Sequence, residues 1–186
     1  MHTDSLIDAI INSLTTTLHQ VDAQQITALE TTLLNAERIF VAGKGRTGLQ
    51  IRGFAMRLMH MGLKVYVVDD VTTPSITSKD LLLIASGSGR TASLVNYAQQ
   101  VQPIGAKLAT ITGNPDSKIA SLASTVVVIP ANNPKDGKTT EKQSVLVMGS
   151  LFEHSLGLLC DLMIFQLMAS LDVSEEEMNR RHANLE

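Results

Sequence analysis

The sequence has no Trp, two Tyr, four Phe and a single Cys in 186 residues. With so few rings it lacks the platforms on which single-stranded nucleic acid stacks. One thiol, Cys160, excludes an internal disulfide and a zinc site built on cysteines, and it fits a reducing compartment. Neither sign of charge dominates: 15 Lys and Arg stand against 18 Asp and Glu, a formal charge of −3. That slight acidity argues against nucleic acid or an anionic membrane as the main partner. Long apolar runs are missing too. The most apolar late stretch, Ser155 to Leu171, carries Asp161 and Gln166 and reads as a buried helix rather than a membrane span. The N-terminal stretch has no basic region and is broken by Asp8 and Asn12, so no targeting segment is expected, and the expected location is cytoplasmic. His2, His19 and His154 show no metal-ligand spacing, and no metal site is expected.

What is present is a globular composition, 44% hydrophobic and 18% charged, at a length that suits one domain. Five apolar runs, at 38–42, 64–68, 81–85, 107–111 and 125–129, are nearly continuous rather than alternating. That pattern suits parallel strands covered on both faces. Helical periodicity fills most gaps, at 49–60, 92–101 and 115–123, the last with Asn114 as expected cap and Pro115 at its first position. Two helices precede the first strand, with Asp22 and Gln25 as a capping pair, and a long helix covers 151–171. Ser174 and Glu177 form a capping box for a last short helix. The expected fold is an α/β three-layer sandwich on a five-stranded parallel sheet of flavodoxin-like order. The expected division is N-terminal helices at 3–36, an α/β core at 37–130, a polar loop at 131–148 and C-terminal helices at 149–182.

Two glycine-rich turns each follow a strand and open a helix. Gly43-Lys44-Gly45-Arg46-Thr47-Gly48 matches G-x-G-x-x-G, with Asp69 lying 21 residues beyond Gly48. It reads equally as a dinucleotide fingerprint or as a tight turn that needs glycine. Ser86-Gly87-Ser88-Gly89-Arg90-Thr91 places three hydroxyls and free backbone N–H groups at a helix N-terminus, which suits a phosphate monoester. It lacks the Gly-Lys-Ser/Thr of a nucleotide P-loop. In a 2-1-3-4-5 sheet both turns leave neighbouring strands at the switch point, where open α/β sheets bind ligands. The second turn would crowd a dinucleotide there. Arg46 and Arg90 flank the turns, as phosphate contacts or solvated groups, and Lys44 reads as solvated surface. Taken on its own, Glu153 is an ordinary first-turn carboxylate favoured by the helix dipole. His60 and His182 are, on the same footing, cations at helix ends.

These turns resemble the sugar isomerase (SIS) domain, whose phosphate loop reads Ser-Gly-Ser-Gly-x-Thr. Phe54-Ala55-Met56-Arg57-Leu58-Met59-His60-Met61-Gly62, Thr73-Pro74, Asn114-Pro115-Asp116-Ser117, Met148-Gly149-Ser150-Leu151-Phe152-Glu153 and Arg181-His182-Ala183-Asn184-Leu185-Glu186 narrow the resemblance to the 6-phospho-3-hexuloisomerase family. The resemblance implies interconversion of D-arabino-3-hexulose 6-phosphate and fructose 6-phosphate in the ribulose monophosphate pathway, with no cofactor. It implies a homotetramer with sites at subunit interfaces. By motif it assigns phosphate binding to Ser86, Ser88 and Thr91 within the Gly87 and Gly89 loop, and a substrate contact to Thr47. It makes Glu153 the base, assisted by His60 from a neighbouring subunit. His182 ranks below these as a site residue, expected because it lies on the last segment, which is placed to reach a neighbour's crevice. The chain departs from these relatives at Lys44, where a small residue is common, and at Leu146-Val147, where Gln-Pro is frequent. The other functions open to the sequence are a sugar-phosphate-binding module without catalysis, an isomerase for another phosphosugar such as arabinose 5-phosphate, and NAD-dependent redox chemistry.

Overall fold

The five apolar runs form five parallel strands, in a computed structural model that describes residues 2–131 and 145–185. In chain order the elements are α1 (Thr3–Leu18), α2 (Ala23–Leu34), β1 (Ile39–Ala42), α3 (Gly45–His60), β2 (Val65–Val67) and β3 (Leu81–Ser86). There follow α4 (Ala92–Ile104), β4 (Lys107–Thr112), α5 (Lys118–Leu122), β5 (Thr125–Val128), α6 (Ser150–Leu171) and α7 (Glu175–Arg180). The sheet order is β2-β1-β3-β4-β5, so the chain reverses its winding direction between β1 and β3. Of the loop expected at 131–148, residues 132–144 lie outside the described residues.

Strand residues alternate between two cores, which is why the runs are apolar throughout. Ile39, Val41, Leu81, Leu83 and Ile111 face a layer built from α2, α3, α6 and α7. Phe40, Ala42, Leu82, Ile84 and Leu108 face α4 and α5. Arg38 and Asp80 tie together the entries to β1 and β3, with the buried Asp80 carboxylate accepting from Arg38 Nε at 3.0 Å and Nη2 at 2.7 Å. Burial pushes the Asp80 carboxyl up, but hydrogen bonds from Arg38 and Thr77 outweigh it and hold the group below its usual range.

Helix ends differ from expectation in instructive ways. α5 is capped by Ser117, which accepts from Ala120 N at 3.3 Å, not by Asn114. Asn114 instead closes a turn, its Oδ1 accepting from Asp116 N at 3.1 Å. Pro115 suits both arrangements, because its fixed φ fits a turn as well as a first helical position. Asp22 caps α2 by accepting from Gln24 N, but Gln25 does not complete a box. Its Oε1 accepts from Val128 N of β5 at 2.8 Å. The Ser174–Glu177 capping box of α7 forms with both of its bonds.

α6 is long and apolar enough to cross a membrane by length and composition. One side buries Phe152, Leu156, Leu159, Met163 and Leu167 in the core, and the other exposes Leu158, Leu162 and Phe165.

Candidate active site

A cavity of about 540 Å³ opens at the C-terminal ends of β1 and β3, between the two glycine-rich turns and the start of α6. In the first turn, a Cβ on Gly48 would lie 2.8 Å from Gly43 O, and one on Gly43 would lie 3.0 Å from Gly48 Cα. Strand and helix meet here with no room for side chains, which accounts for both glycines. Asp69 is not available to a ribose. It pairs with Lys44 and accepts from Tyr97 Oη at 2.7 Å. Lys44 is exposed, as expected, but it is also paired with Asp69 and lines the cavity.

In the second turn, Gly87 leaves room for the Phe152 ring, which would be 3.1 Å from a Cβ there. Ser86 Oγ accepts from Gly89 N at 3.1 Å, and Ser88 Oγ accepts from Arg90 N at 3.3 Å. Each hydroxyl proton is left to donate to an anion. Thr91 is the N-cap residue of α4, yet its side chain makes no capping bond. Ser86, Gly87, Ser88 and Thr91 all line the cavity, at the end of a helix whose dipole favours negative charge. Gly89 and Arg90 do not line it. Gly89 packs beneath the turn against Ser117 with φ +61°, and Arg90 is exposed.

Glu153 stands on the opposite wall, in the first turn of α6, with its side chain only 16% exposed. Arg46 Nε lies 3.1 Å from Glu153 Oε2. Arg46 also donates to Ser150 Oγ at 3.0 Å and lies 3.4 Å from His154 Nε2. So Arg46 grips the start of α6 and orients the carboxylate, where the sequence offered only phosphate or solvent as its partner. Thr47 also lines the cavity.

His60 is placed elsewhere. It ends α3, fifteen residues after Gly45, about 22 Å along the helix axis from the cavity end. It is 2% exposed, and its ring lies 5.1 Å from that of His182. Burial, reinforced by Arg57 and His182, lowers the His60 pKa below the ordinary imidazole value. Arg181 docks this corner by donating to His60 O at 2.9 Å. The fold thus brings His60 and His182 to each other and Glu153 to the hydroxyl cradle, but it does not join the two groups within one chain. Sequence reasoning missed the roles of Phe152, Asp69, Tyr97 and Arg181. Only Asp69 carried a signal, and that signal pointed to a nucleotide.

A parallel 2-1-3-4-5 sandwich with a hydroxyl-rich anion cradle at the reversal point defines a class. The SIS domain family matches residues 32–153, and the chain belongs to that family. Within it, the chain is similar to proteins named 3-hexulose-6-phosphate isomerase. That of Mycobacterium gastri is 45% identical over 91% of this chain and 84% of its own. That of Bacillus subtilis is 37% identical over the full length of both. A solved structure of the hypothetical protein MJ1247 from Methanococcus jannaschii, said to infer a molecular function of 3-hexulose-6-phosphate isomerase, superposes with a TM-score of 0.83. It is 32% identical and covers 97% of this chain and 98% of that one.

Proposed function

We propose that this protein is a sugar-phosphate isomerase that interconverts D-arabino-3-hexulose 6-phosphate and fructose 6-phosphate. The observation that carries the reading is Glu153, a partly buried carboxylate on the wall of the same cavity that the Ser86–Thr91 turn opens onto. The relatives of that name support the choice of sugar.

The phosphate binds to the hydroxyls of Ser86, Ser88 and Thr91 and to the N-terminus of α4, which fixes the sugar relative to Glu153. Orientation of this kind supplies a large share of catalysis. Thr47 contacts the sugar. Glu153 takes the C2 proton of the 3-hexulose, the electrons form a 2,3-enediolate, and the proton returns to C3. The proton on the C2 oxygen passes to the C3 oxygen, leaving a C2 carbonyl. Arg46 orients the carboxylate and offsets the enediolate charge. The reaction as written needs no cofactor.

His60, at the far end of α3, and His182, which follows α7 and packs beside it, lie too far from their own cavity to reach it. In this reading the exposed His182, with the buried His60 behind it, faces a neighbour's cavity in a cytoplasmic homotetramer assembled as a dimer of dimers. Exposed apolar side chains on α6 (Leu158, Leu162, Phe165), α1 (Ile7, Ile11) and α3 (Leu49, Met56, Met59) supply material for such interfaces.

The test is an assay of the purified protein on hexulose 6-phosphate with fructose 6-phosphate formation coupled to a reporter enzyme. Arabinose 5-phosphate is run in parallel. Glu153→Gln should bind substrate and lose turnover by about 10²–10⁴-fold. Wild-type turnover in that variant would remove Glu153 from the base role. Binding by the wild type without conversion would instead favour a non-catalytic sugar-phosphate module.

A further inference from the structure

Lys44, Asp69 and Tyr97 come from three separate elements and converge at the edge of the cavity. Lys44 is the N-cap residue of α3, Asp69 follows β2, and Tyr97 lies on α4. The Lys44 ammonium pairs with Asp69 Oδ2, Tyr97 Oη donates to Asp69 Oδ1, and the ammonium sits 5.6 Å from the Tyr97 ring centroid. Both carboxylate oxygens of Asp69 are engaged, and next to it Asp70 is taken by Arg52 at 2.9 Å. Asp69 has φ +79°, a conformation L-residues seldom adopt, so the cluster is held in a constrained backbone.

The cavity needs what this cluster holds. The cradle itself offers neutral donors only: hydroxyls of Ser86, Ser88 and Thr91, and backbone N–H groups. Of the two cations on the described lining, Arg46 is committed to Glu153, Ser150 and His154. Lys44 is the other, and its counter-ion Asp69 is not part of the lining. We propose that Lys44 is the cation that receives the substrate's phosphate at this cavity, held in position for it by Asp69 and Tyr97. This rests on the sugar-phosphate reading of the site.

The chemistry permits the contact without dismantling the cluster. An ammonium carries three donors, so one stays on Asp69 while another turns to a phosphate oxygen. The ion pair is also half exposed, 42% for Lys44 and 51% for Asp69, and such pairs are weak enough to yield to an incoming dianion. The hydrogen bond that Lys44 donates to Asp69 raises the Lys44 pKa and keeps the group charged. Asp69 and Tyr97 are positioning residues; Lys44 touches the ligand.

The experiment measures inorganic phosphate affinity by titration calorimetry, and KM and kcat separately for hexulose 6-phosphate. Lys44→Met keeps the aliphatic stem and removes the charge. It should weaken phosphate binding and raise KM by about tenfold, with kcat changed far less. Lys44→Arg should recover most of that loss, and Asp69→Asn and Tyr97→Phe should each cost about threefold in phosphate affinity. Ser88→Ala serves as the control for the cavity itself. If Ser88→Ala weakens phosphate binding and Lys44→Met does not, this inference is overturned while the cavity reading survives. If neither variant moves it, both fall. If phosphate binding depends on Lys44 but the wild type converts no hexulose phosphate, the inference stands and the isomerase reading falls. A lowered melting temperature in Lys44→Met with unchanged phosphate affinity would make the cluster a structural clamp and overturn the proposal.

Discussion

At Gly89 the loop leaves no choice of residue. A Cβ there would sit 2.0 Å from Ser117 Oγ, on a backbone already at φ +61°. Gly89→Ala should cost about 3 kcal/mol or more, because neither the clash nor the strained φ can relax without moving α5. Denaturant unfolding measures the loss, and a variant as stable as the wild type would show that the turn has room to shift. The hydroxyl cradle was legible in the sequence because it is local: Ser86, Ser88 and Thr91 fall within six residues of one strand-to-helix turn. Lys44 was not legible. Its partner is 25 residues away, and what places Asp69 there is a left-handed φ that nothing in the residue types announces. Glu153 lies between these cases. Its residue type and helix position alone favour a plain first-turn carboxylate, the base role came only from the family resemblance, and the fold adds that the side chain stands on the cavity wall.

α3 joins two separate places in the fold, the cavity at its start and the buried His60 corner at its end. Its start closes the cavity through Lys44, Arg46 and Thr47, and its end buries His60 under α7. The strands were read correctly from unbroken apolar runs, because two-sided burial imposes that pattern. The start of α3 was not. Helical periodicity shows only from Leu49, while the helix begins at Gly45 among residues chosen for the turn. The buried corner at His60 has a pH signature. With its pKa held below the unfolded value near 6.5, the folded chain binds fewer protons than the unfolded one between the two values. Stability is therefore full above about pH 6.5 and declines as the pH falls toward the depressed pKa. His60→Gln should flatten that decline in urea melts taken from pH 7.5 down to 5. An unchanged slope would assign the acid sensitivity to other groups.

For the whole molecule, the sequence showed α6 to be largely apolar but not that one side stays uncovered, since burial depends on what packs against it. Phe165 is 78% exposed, with Leu158 and Leu162 beside it on the same helix face. Phe165→Glu should therefore give a folded chain of lower mass in light scattering. If neighbours complete each other's sites, its turnover should drop by more than about tenfold. A smaller assembly with full turnover would mean that each chain works alone. The sheet edge bears on pairing between copies too. β5 is an edge of the sheet, and its outward Val128 N–H is already taken by Gln25 from α2. That bond removes from the β5 edge one donor that an added strand would use. The glutamine that failed to cap its own helix thus serves the sheet instead, blunting the end of an edge strand against pairing with another copy.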